Sequence, residues 1–540
     1  MIIGSNAAEN HPISFKWVTK AMEDGAKLIV VDPRFTRSAS KAHIYAKLRS
    51  GTDIAFIGGM IKYILDDMEI NPQNYNMTYI REYTNAAFLI NPDFKGAAEL
   101  EGLFSGYDHG KRSYDKSTWQ YQLDANGIPK MDKSLQDPHC VFQLLKKHFS
   151  RYDVDMVCKI TGTPKDAYLK VCETYAATGA PGKSGTIMYA MGATHHTYGT
   201  QNIRTYAILQ LLLANMGVAG GGINALRGES NVQGSTDHCL LFHILPGYLK
   251  VPVHTDTSLA KYLKRTTPTT KDPISANWWQ NTPKYIVSLL KAWYGDAATK
   301  ANDFGFHYLP KIDAAKREGY SHIALFEAMY EGVIKGLMIW GQNPAVGGPN
   351  ANMERKALEN LDWLACSDLW ETETATFWKA PDIDDPGRIK TEVFLLPGAA
   401  SMEKEGSISN SGRWAQWRYK AVEPPGEAMS DLDIATLLVL RLKELYAVEG
   451  GPNAEAITRL TWGYGKPPDV HKVAKEINGY DLITGKLLPS FGKLKDDGIT
   501  SSGNWLYCAS YTEAGNMMAR RDPSQTPAQA NIGLYPHWSW

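Results

Sequence analysis

A single arginine embedded in glycines and small amides is the most chemically pointed feature of this chain. From residue 219 to 237 it reads AGGGINALRGESNVQGSTD. Three consecutive glycines let the backbone approach a ligand closely, and Arg227 follows in a segment dense in Asn, Gln, Ser and Thr. A guanidinium holds two oxygens in one plane, a geometry that lysine does not reproduce. The run therefore suits a small carboxylate, with Gly228 and Thr236 close by in sequence. The competing role for Arg227 is a structural pair with Glu229 or Asp237.

A second run, MEKEGSISNSGRWAQW at 402–417, brings Glu405, Asn410 and Arg413 to one turn. Acceptors beside a guanidinium suit the polar edge of a pterin or a phosphate, and a plain surface turn would use fewer such groups. Six further stretches share a pattern of strand end followed by Gly, Asn, Asp or Thr: GSNAAENHP, VDPRFT, RSGTD, AMGATHH, WGQNP and SDLWETET. In open α/β sheets, ligands bind at the carboxyl ends of strands, where N–H groups and helix N-termini meet phosphate. Six such places predict a ligand with several polar ends and loops converging on one cleft. Singly each has a local explanation, Asp32 as a turn cap and Asn6 as a partner for its own loop.

The elements that must position these groups alternate. Residues 1–4 read as a short strand, 13–26 as an amphipathic helix, and KLIVVD as a strand buried on both faces and ending at Asp32. Asp53 opens the next helix, with Thr52 as its N-cap. The segment 97–140 is polar and rich in turn pairs, an excursion from the core. Strand and helix resume at GTIMYAMG and at 201–216, closed by Gly217. Between about 245 and 322 the alternation is lost and Trp278, Trp279, Tyr285, Trp293 and Tyr294 cluster. This insertion reads either as a locally packed set of helices or as a partner surface. GLMIWGQNP, LDWLACSDLW, TEVFLLPG and a helix at 431–446 form a second α/β series. The architecture expected is two doubly wound, Rossmann-like α/β domains, 1–229 and 230–540, around one site.

Length and composition agree with an enzyme enclosing a large ligand. The chain has 540 residues, enough for two to four α/β-sized domains, with 44% hydrophobic residues, 15 Trp and 28 Tyr, which excludes a disordered chain. Its 57 basic and 57 acidic residues cancel, so no global field favours nucleic acid or an anionic membrane. AILQLLLANMGVA, the longest apolar run, is too short to span a bilayer and carries Gln210 and Asn215. Six scattered cysteines (Cys140, Cys158, Cys172, Cys239, Cys366, Cys508) form no CxxC pair and read as ordinary thiols.

EKEGSISNSGRWAQW resembles the E-G-x-x-x-N-x-x-R-x-x-Q pattern of molybdopterin oxidoreductases, whose fold is of the DMSO reductase-like type. More narrowly, GSNAAENHP, VDPRFTRSA, RSGTDIAF, QNIRT, GGGINALRGESNVQG, TEVFLLPG and GNMMARRD are similar, in order and spacing, to the respiratory and periplasmic formate dehydrogenases. The resemblance spans essentially the whole chain, insertion included. It implies two molybdopterin guanine dinucleotides holding one Mo or W atom. Asn6, Glu9, Asp32, Arg34, Thr36, Gly51 and Asp53 would lie along one dinucleotide. Met191, Gly192, His195 and His196 would form a later loop of the cradle, His195 standing where the family often has Gln. Gly341, Gln342, Asn343 and Asp368 would serve the other half. Arg227 matches the arginine that orients formate, and Gly228 and Thr236 match residues of the same pocket.

The reaction so implied is formate oxidation to CO2 or its reverse. Electrons would pass through a 4Fe-4S cluster to an iron–sulfur subunit, with a membrane cytochrome b subunit as a further partner and the periplasm as location; the chain itself would not span the membrane. In the family, the cysteines of that cluster and the selenocysteine or cysteine metal ligand precede the region matching Met1. A C-terminal β-rich domain follows the region matching GLYPHWSW. The expectation is therefore an internal portion of such a subunit, inactive when isolated. The rival readings are another molybdopterin oxidoreductase, of nitrate or polysulfide reductase type, and a non-catalytic nucleotide-binding module.

Overall fold

The computed structural model describes residues 1–273, 275–313 and 319–519. The terminal aromatic run GLYPHWSW and the end of GNMMARRD lie outside the described residues. The chain divides into two compact units, one of Met1–Ser230 with Thr270–Ala276, the other of Asn231–Thr269 with Asn277 onward.

The first unit is built on five parallel strands, β1 (Ile2–Ile3), β2 (Ile29–Val31), β3 (Ile44–Ala46), β4 (Ile187–Tyr189) and β5 (Ile223–Ala225). Their spatial order is β3-β2-β1-β4-β5, so strand order reverses between β1 and β4. Side chains alternate across the sheet. Ile3, Ile29 and Val31 face one side, where they pack with α2 (Asp53–Ile70), α3 (Lys165–Ala176) and α4 (Gly199–Leu212). Ile2 and Val30 face the other, against Phe15, Val18 and Met22 of α1 (Pro12–Glu23). Burial on both faces is why β1 and β2 are continuous apolar runs rather than alternating ones. The helix preceding Ala26 thus ends at Glu23, and α4 ends at Leu212 instead of continuing to Met216.

Thr52 occupies the N-cap of α2, but its hydroxyl does not cap. It donates backward to the carbonyl of Arg49 at 2.7 Å, leaving the role that sequence assigned to it unfilled. The polar excursion carries a small hairpin at 107–114 and isolated bridges rather than a layer of its own.

In the second unit β6 (Gly336–Trp340), β7 (Trp363–Asp368) and β8 (Glu392–Pro397) run parallel in chain order. Ile339, Leu364 and Cys366 pack with Phe326 and Met329 and with Ala357 and Leu358 of the helix Ala351–Leu358. The polar turn at 402–417 forms a hairpin of β9 (Gly406–Ser409) and β10 (Ala415–Arg418).

The aromatic insertion is packed, and its partners come from far along the chain. Tyr285 of the helix Thr282–Tyr294 stacks on Trp505, with ring centroids 4.4 Å apart and planes 4° from parallel. Trp278, Trp279 and Phe491 approach the same indole. Leu488, Leu494 and Cys508 complete this core. The indole N–H of Trp505 donates to the carbonyl of Gly247 at 2.8 Å. Trp278 and Trp279 remain partly exposed, so the packed-helix reading accounts for the cluster's interior and not for its rim.

A second buried junction centres on Asp237, which has no solvent exposure. Its carboxylate accepts from Arg413 Nε at 2.8 Å and Nη2 at 3.1 Å, from Gln233 at 2.8 Å and from the Tyr507 hydroxyl at 2.9 Å. Burial pushes its pKa upward, but these hydrogen bonds outweigh burial and hold it below the ordinary carboxylate value.

Two outcomes follow for stability. Trp505→Ala removes a large packed ring and leaves the Gly247 carbonyl unpaired, and should cost about 3–5 kcal/mol in urea unfolding. Asp237→Asn uncouples Arg413 and should cost roughly 3 kcal/mol at neutral pH. Because the folded pKa of Asp237 is depressed, its contribution is fully present above the unfolded carboxylate value, about 3.9, and is lost as pH falls through the folded value. The gap between wild type and Asp237→Asn should therefore hold steady down to about pH 4 and narrow below it.

Candidate cofactor and substrate cleft

Where the strand order of the first sheet reverses, the loops leaving β1 and β4 part and open a cleft of about 460 Å³. The loops after β2 and β3 and the segment after β5 complete its lining. Four of the six motif stretches are thus brought together.

After β1, Gly4, Ser5, Asn6, Asn10 and His11 line the cleft. Asn6 uses its amide oxygen to receive the N–H and hydroxyl of Ser38, at 3.2 and 3.1 Å, and its amide nitrogen to hold Glu9. Glu9 does not line the cleft; it secures Asn6 and pairs with Arg37 at 3.3 Å. Ser5 is 5% exposed, and its hydroxyl has no hydrogen-bond partner among the described residues. A buried orphan hydroxyl is costly unless a ligand satisfies it.

After β2, buried Asp32 accepts the N–H of Arg34 at 2.9 Å. The hydroxyl of Thr36 receives the N–H of Ala39 at 3.2 Å. Burial raises the pKa of Asp32 against the opposing effect of Arg34. After β3, Gly51 adopts φ +84° and its carbonyl receives the Tyr198 hydroxyl at 2.7 Å; a Cβ there would meet that hydroxyl at 2.6 Å. Gly51 stands beside the lining residues Ser50 and Asp53 rather than among them. Asp53 is buried at the head of α2, and burial raises its pKa. Backbone hydrogen bonding, the charge of His196 and the Tyr206 hydroxyl at 3.3 Å work in the other direction.

After β4, Met191, Gly192, His195 and His196 face the same space. His196 lies on Tyr198, ring centroids 5.7 Å apart, and bonds the Gly192 carbonyl at 2.9 Å. Gly192 is packed against the β1 loop: a Cβ on it would sit 2.7 Å from the carbonyl oxygen of Gly4. After β5, Leu226 and Gly228 line the cleft on either side of Arg227. Tyr189, at the end of β4, is close enough to Arg227 for that charge to oppose the rise that burial imposes on its phenol.

The remaining motif residues belong to the second unit. Gly341 and Gln342 follow β6, Gly341 in the left-handed region at φ +61°. The amide oxygen of Asn343 receives the N–H and hydroxyl of Thr374 at 3.1 and 2.7 Å, and its nitrogen donates to Glu373 at 2.6 Å. Asp368, at the end of the adjacent β7, receives the N–H of Leu369 at 2.7 Å. Thr236 lies in the short helix Val232–Asp237, its hydroxyl bonded to the Val232 carbonyl at 2.8 Å.

On the β9–β10 hairpin, Glu405 receives the Trp417 indole N–H at 2.8 Å, and Asn410 closes the turn through the N–H groups of Gly412 and Trp414, both at 3.0 Å. The fork of Arg413 is engaged by Asp237, so any ligand of this hairpin meets the guanidinium's remaining edge.

Sequence reasoning did not single out Ser5, Asn10, His11 or Ser50, although each stands inside a motif stretch that it named. All six cysteines are free; burial raises Cys366 to about 11 and Cys172 and Cys508 to about 12, the profile of packed thiols.

Comparison with known proteins fits this geometry. The family model for molybdopterin oxidoreductase matches residues 1–440. The formate dehydrogenase alpha subunit of Megalodesulfovibrio gigas is 51% identical over 554 aligned residues, covering all of this chain and 53% of its own length. The formate dehydrogenase 2 alpha subunit (cytochrome c-553) of Nitratidesulfovibrio vulgaris is likewise 51% identical, with 100% and 53% covered. The nitrate-inducible formate dehydrogenase major subunit of Escherichia coli is 47% identical over all of this chain and 54% of its own. The chain thus spans about half the length of these curated relatives. With the family match running through both parallel sheets and every loop of the cleft, the chain belongs to the molybdopterin oxidoreductases.

Proposed function

We propose that this chain is part of the catalytic subunit of a formate dehydrogenase, interconverting formate and CO2 at a Mo or W centre held by two molybdopterin guanine dinucleotides. The observation that carries the reading is the cleft at the strand-order reversal, whose loops bring four strand ends, a buried orphan hydroxyl on Ser5 and the residues on either side of Arg227 to one place. The residues fit the group. Ser5 lacks a partner that a polar cofactor atom would supply, and Asp32 and Asp53 offer acceptors to ribose hydroxyls or to the N–H edge of a guanine. Asn6, Arg34 and Thr36 would lie along the same dinucleotide, with Glu9 and Gly51 supporting their loops. Met191, Gly192, His195 and His196 would close it from the β4 side. Gly341, Gln342, Asn343 and Asp368, at adjacent strand ends of the second sheet, would serve the other dinucleotide, and Glu405, Asn410 and Arg413 a pterin edge.

When bound, the metal–pterin group supplies the two-electron redox chemistry. The chain's own part is binding and orientation. Arg227 would hold both formate oxygens through parallel N–H donors, fixing the direction of the C–H bond, and Gly228 and Thr236 would leave room for so small a substrate. The relatives' near-half identity over the whole of this chain supports formate as substrate, and their being called alpha or major subunits supports an assembly with further chains. We assign an iron–sulfur subunit as electron acceptor by way of a 4Fe-4S cluster, with a membrane cytochrome b subunit beyond it, and the periplasm as location. No helix among the described residues is long and apolar enough to cross a membrane.

In the full-length protein, Arg227→Lys should lower kcat/KM for formate by on the order of 2–4 kcal/mol of transition-state stabilisation. Metal and pterin contents should stay near wild type, and dye reduction together with elemental and pterin assay reads both. Gly192→Val should do the reverse. Its added carbons collide with the Gly4 backbone, force the β1 and β4 loops apart, and should deplete bound pterin and metal before any kinetic constant of the loaded fraction changes.

A further inference from the structure

The loops after β1 and β5 are not neighbours in the sheet, because β4 runs between the two strands. A side chain nevertheless joins them. His11 places Nε2 2.6 Å from the main-chain oxygen of Arg227, a contact between residues 216 apart in sequence. A carbonyl oxygen only accepts, so Nε2 carries the hydrogen and donates it. Nδ1 lies 2.7 Å from the side-chain oxygen of Asn10; with the hydrogen on Nε2, the Asn10 amide bonds Nδ1 when turned end for end so that its nitrogen donates, and that contact orients the ring.

The root of this imidazole is held as firmly as its tip. The His11 N–H donates to the Ala7 carbonyl at 3.0 Å, and its own carbonyl receives the N–H of Phe15 at 2.9 Å. Pro12 follows as the first residue of its helix, with φ restricted by its ring. On the other side, Leu226 donates to the Tyr189 carbonyl at 2.8 Å, the last bond of the β4–β5 ladder before Arg227. His11 takes the carbonyl of the residue that follows Leu226. It therefore straps the segment that carries the arginine to the helix that starts the opposite wall of the cleft.

We infer that His11 is a positioning residue for Arg227, a role that rests on the formate reading above. It fixes the peptide plane from which the guanidinium is presented. A substrate of three heavy atoms tolerates little error in that placement, since small displacements of an orienting group cost large factors in rate.

The test uses the full-length protein with His11→Ala and His11→Gln; glutamine keeps an N–H donor of similar reach. Hydrogen–deuterium exchange at residues 226–231 should rise in His11→Ala and stay near wild type in His11→Gln, with the peptide over β4 unchanged in both. The KM for formate should rise about tenfold in His11→Ala, with kcat lowered by no more than about threefold, and should recover in His11→Gln. Metal and pterin contents should match wild type throughout. Unchanged exchange and KM in His11→Ala would overturn the strap, as would a glutamine variant no better than alanine. Arg227→Lys, run alongside, separates the two layers: wild-type formate kinetics in that variant would overturn the substrate reading whatever the exchange data show.

Discussion

Everything at the cleft follows from one topological constraint. Chain leaving β1 turns to one face of the first sheet, where Phe15 packs with Ile2 and Val30. Chain leaving β4 turns to the other, where Leu209 packs with Ile3 and Val31. Adjacent parallel strands whose connections diverge cannot cover the edge between them, and a crevice is left at their carboxyl ends. The short strands, only two or three residues each, still suffice because the central pair, β1 and β2, is buried on both faces. The sheet's job is less to be large than to aim its loops.

The cleft's electrostatics are local. A chain with equal numbers of basic and acidic residues has no net field to concentrate anions, so recognition must come from placed groups. The cleft holds two buried carboxylates, Asp32 and Asp53, both with pKa values raised by burial, alongside Arg34 and several imidazoles. Such mixed polarity suits a ligand with donor and acceptor edges at different points, which a bare phosphate is not. It also explains why several motif residues bond to one another: Asn6, Glu9 and Ser38 organise the loop, while the buried Ser5 hydroxyl is left without a partner among the described residues.

Much of this was legible in the sequence because it is local. KLIVVD announces a strand buried on both faces, and Gly, Asn and Asp after a strand announce a loop built to approach something. The resemblance then assigned a family that the comparison bears out. What was not legible depends on which partner a side chain takes, three residues away for Thr52 and at long range for the others. Thr52 has the right type and position for a cap, yet its hydroxyl finds the Arg49 carbonyl first. Arg413 sits in a turn suited to ligand binding, and Asp237, 176 residues away, engages its fork. The aromatic insertion completes its core with Trp505 and Leu488, which no periodicity within 245–322 could reveal. His11 looks like one polar residue among several until the Arg227 carbonyl is placed beside it.

The junction at Asp237 has a consequence for how the chain comes into being. Its partners arrive in sequence over a long interval: Gln233 at once, Arg413 much later, and Tyr507 270 residues after the carboxylate itself. Closing loops of that length carries an entropic cost that nearby contacts do not, and folds rich in such contacts assemble slowly. During synthesis from the N-terminus, the first unit has all of its strands before Arg413 leaves the ribosome, whereas the carboxylate of Asp237 must wait in water or in transient company. Late arrival of Tyr507 and Trp505 makes the core around Trp505 a final event, and the interval before it is when the chain is most open to chaperones and to aggregation.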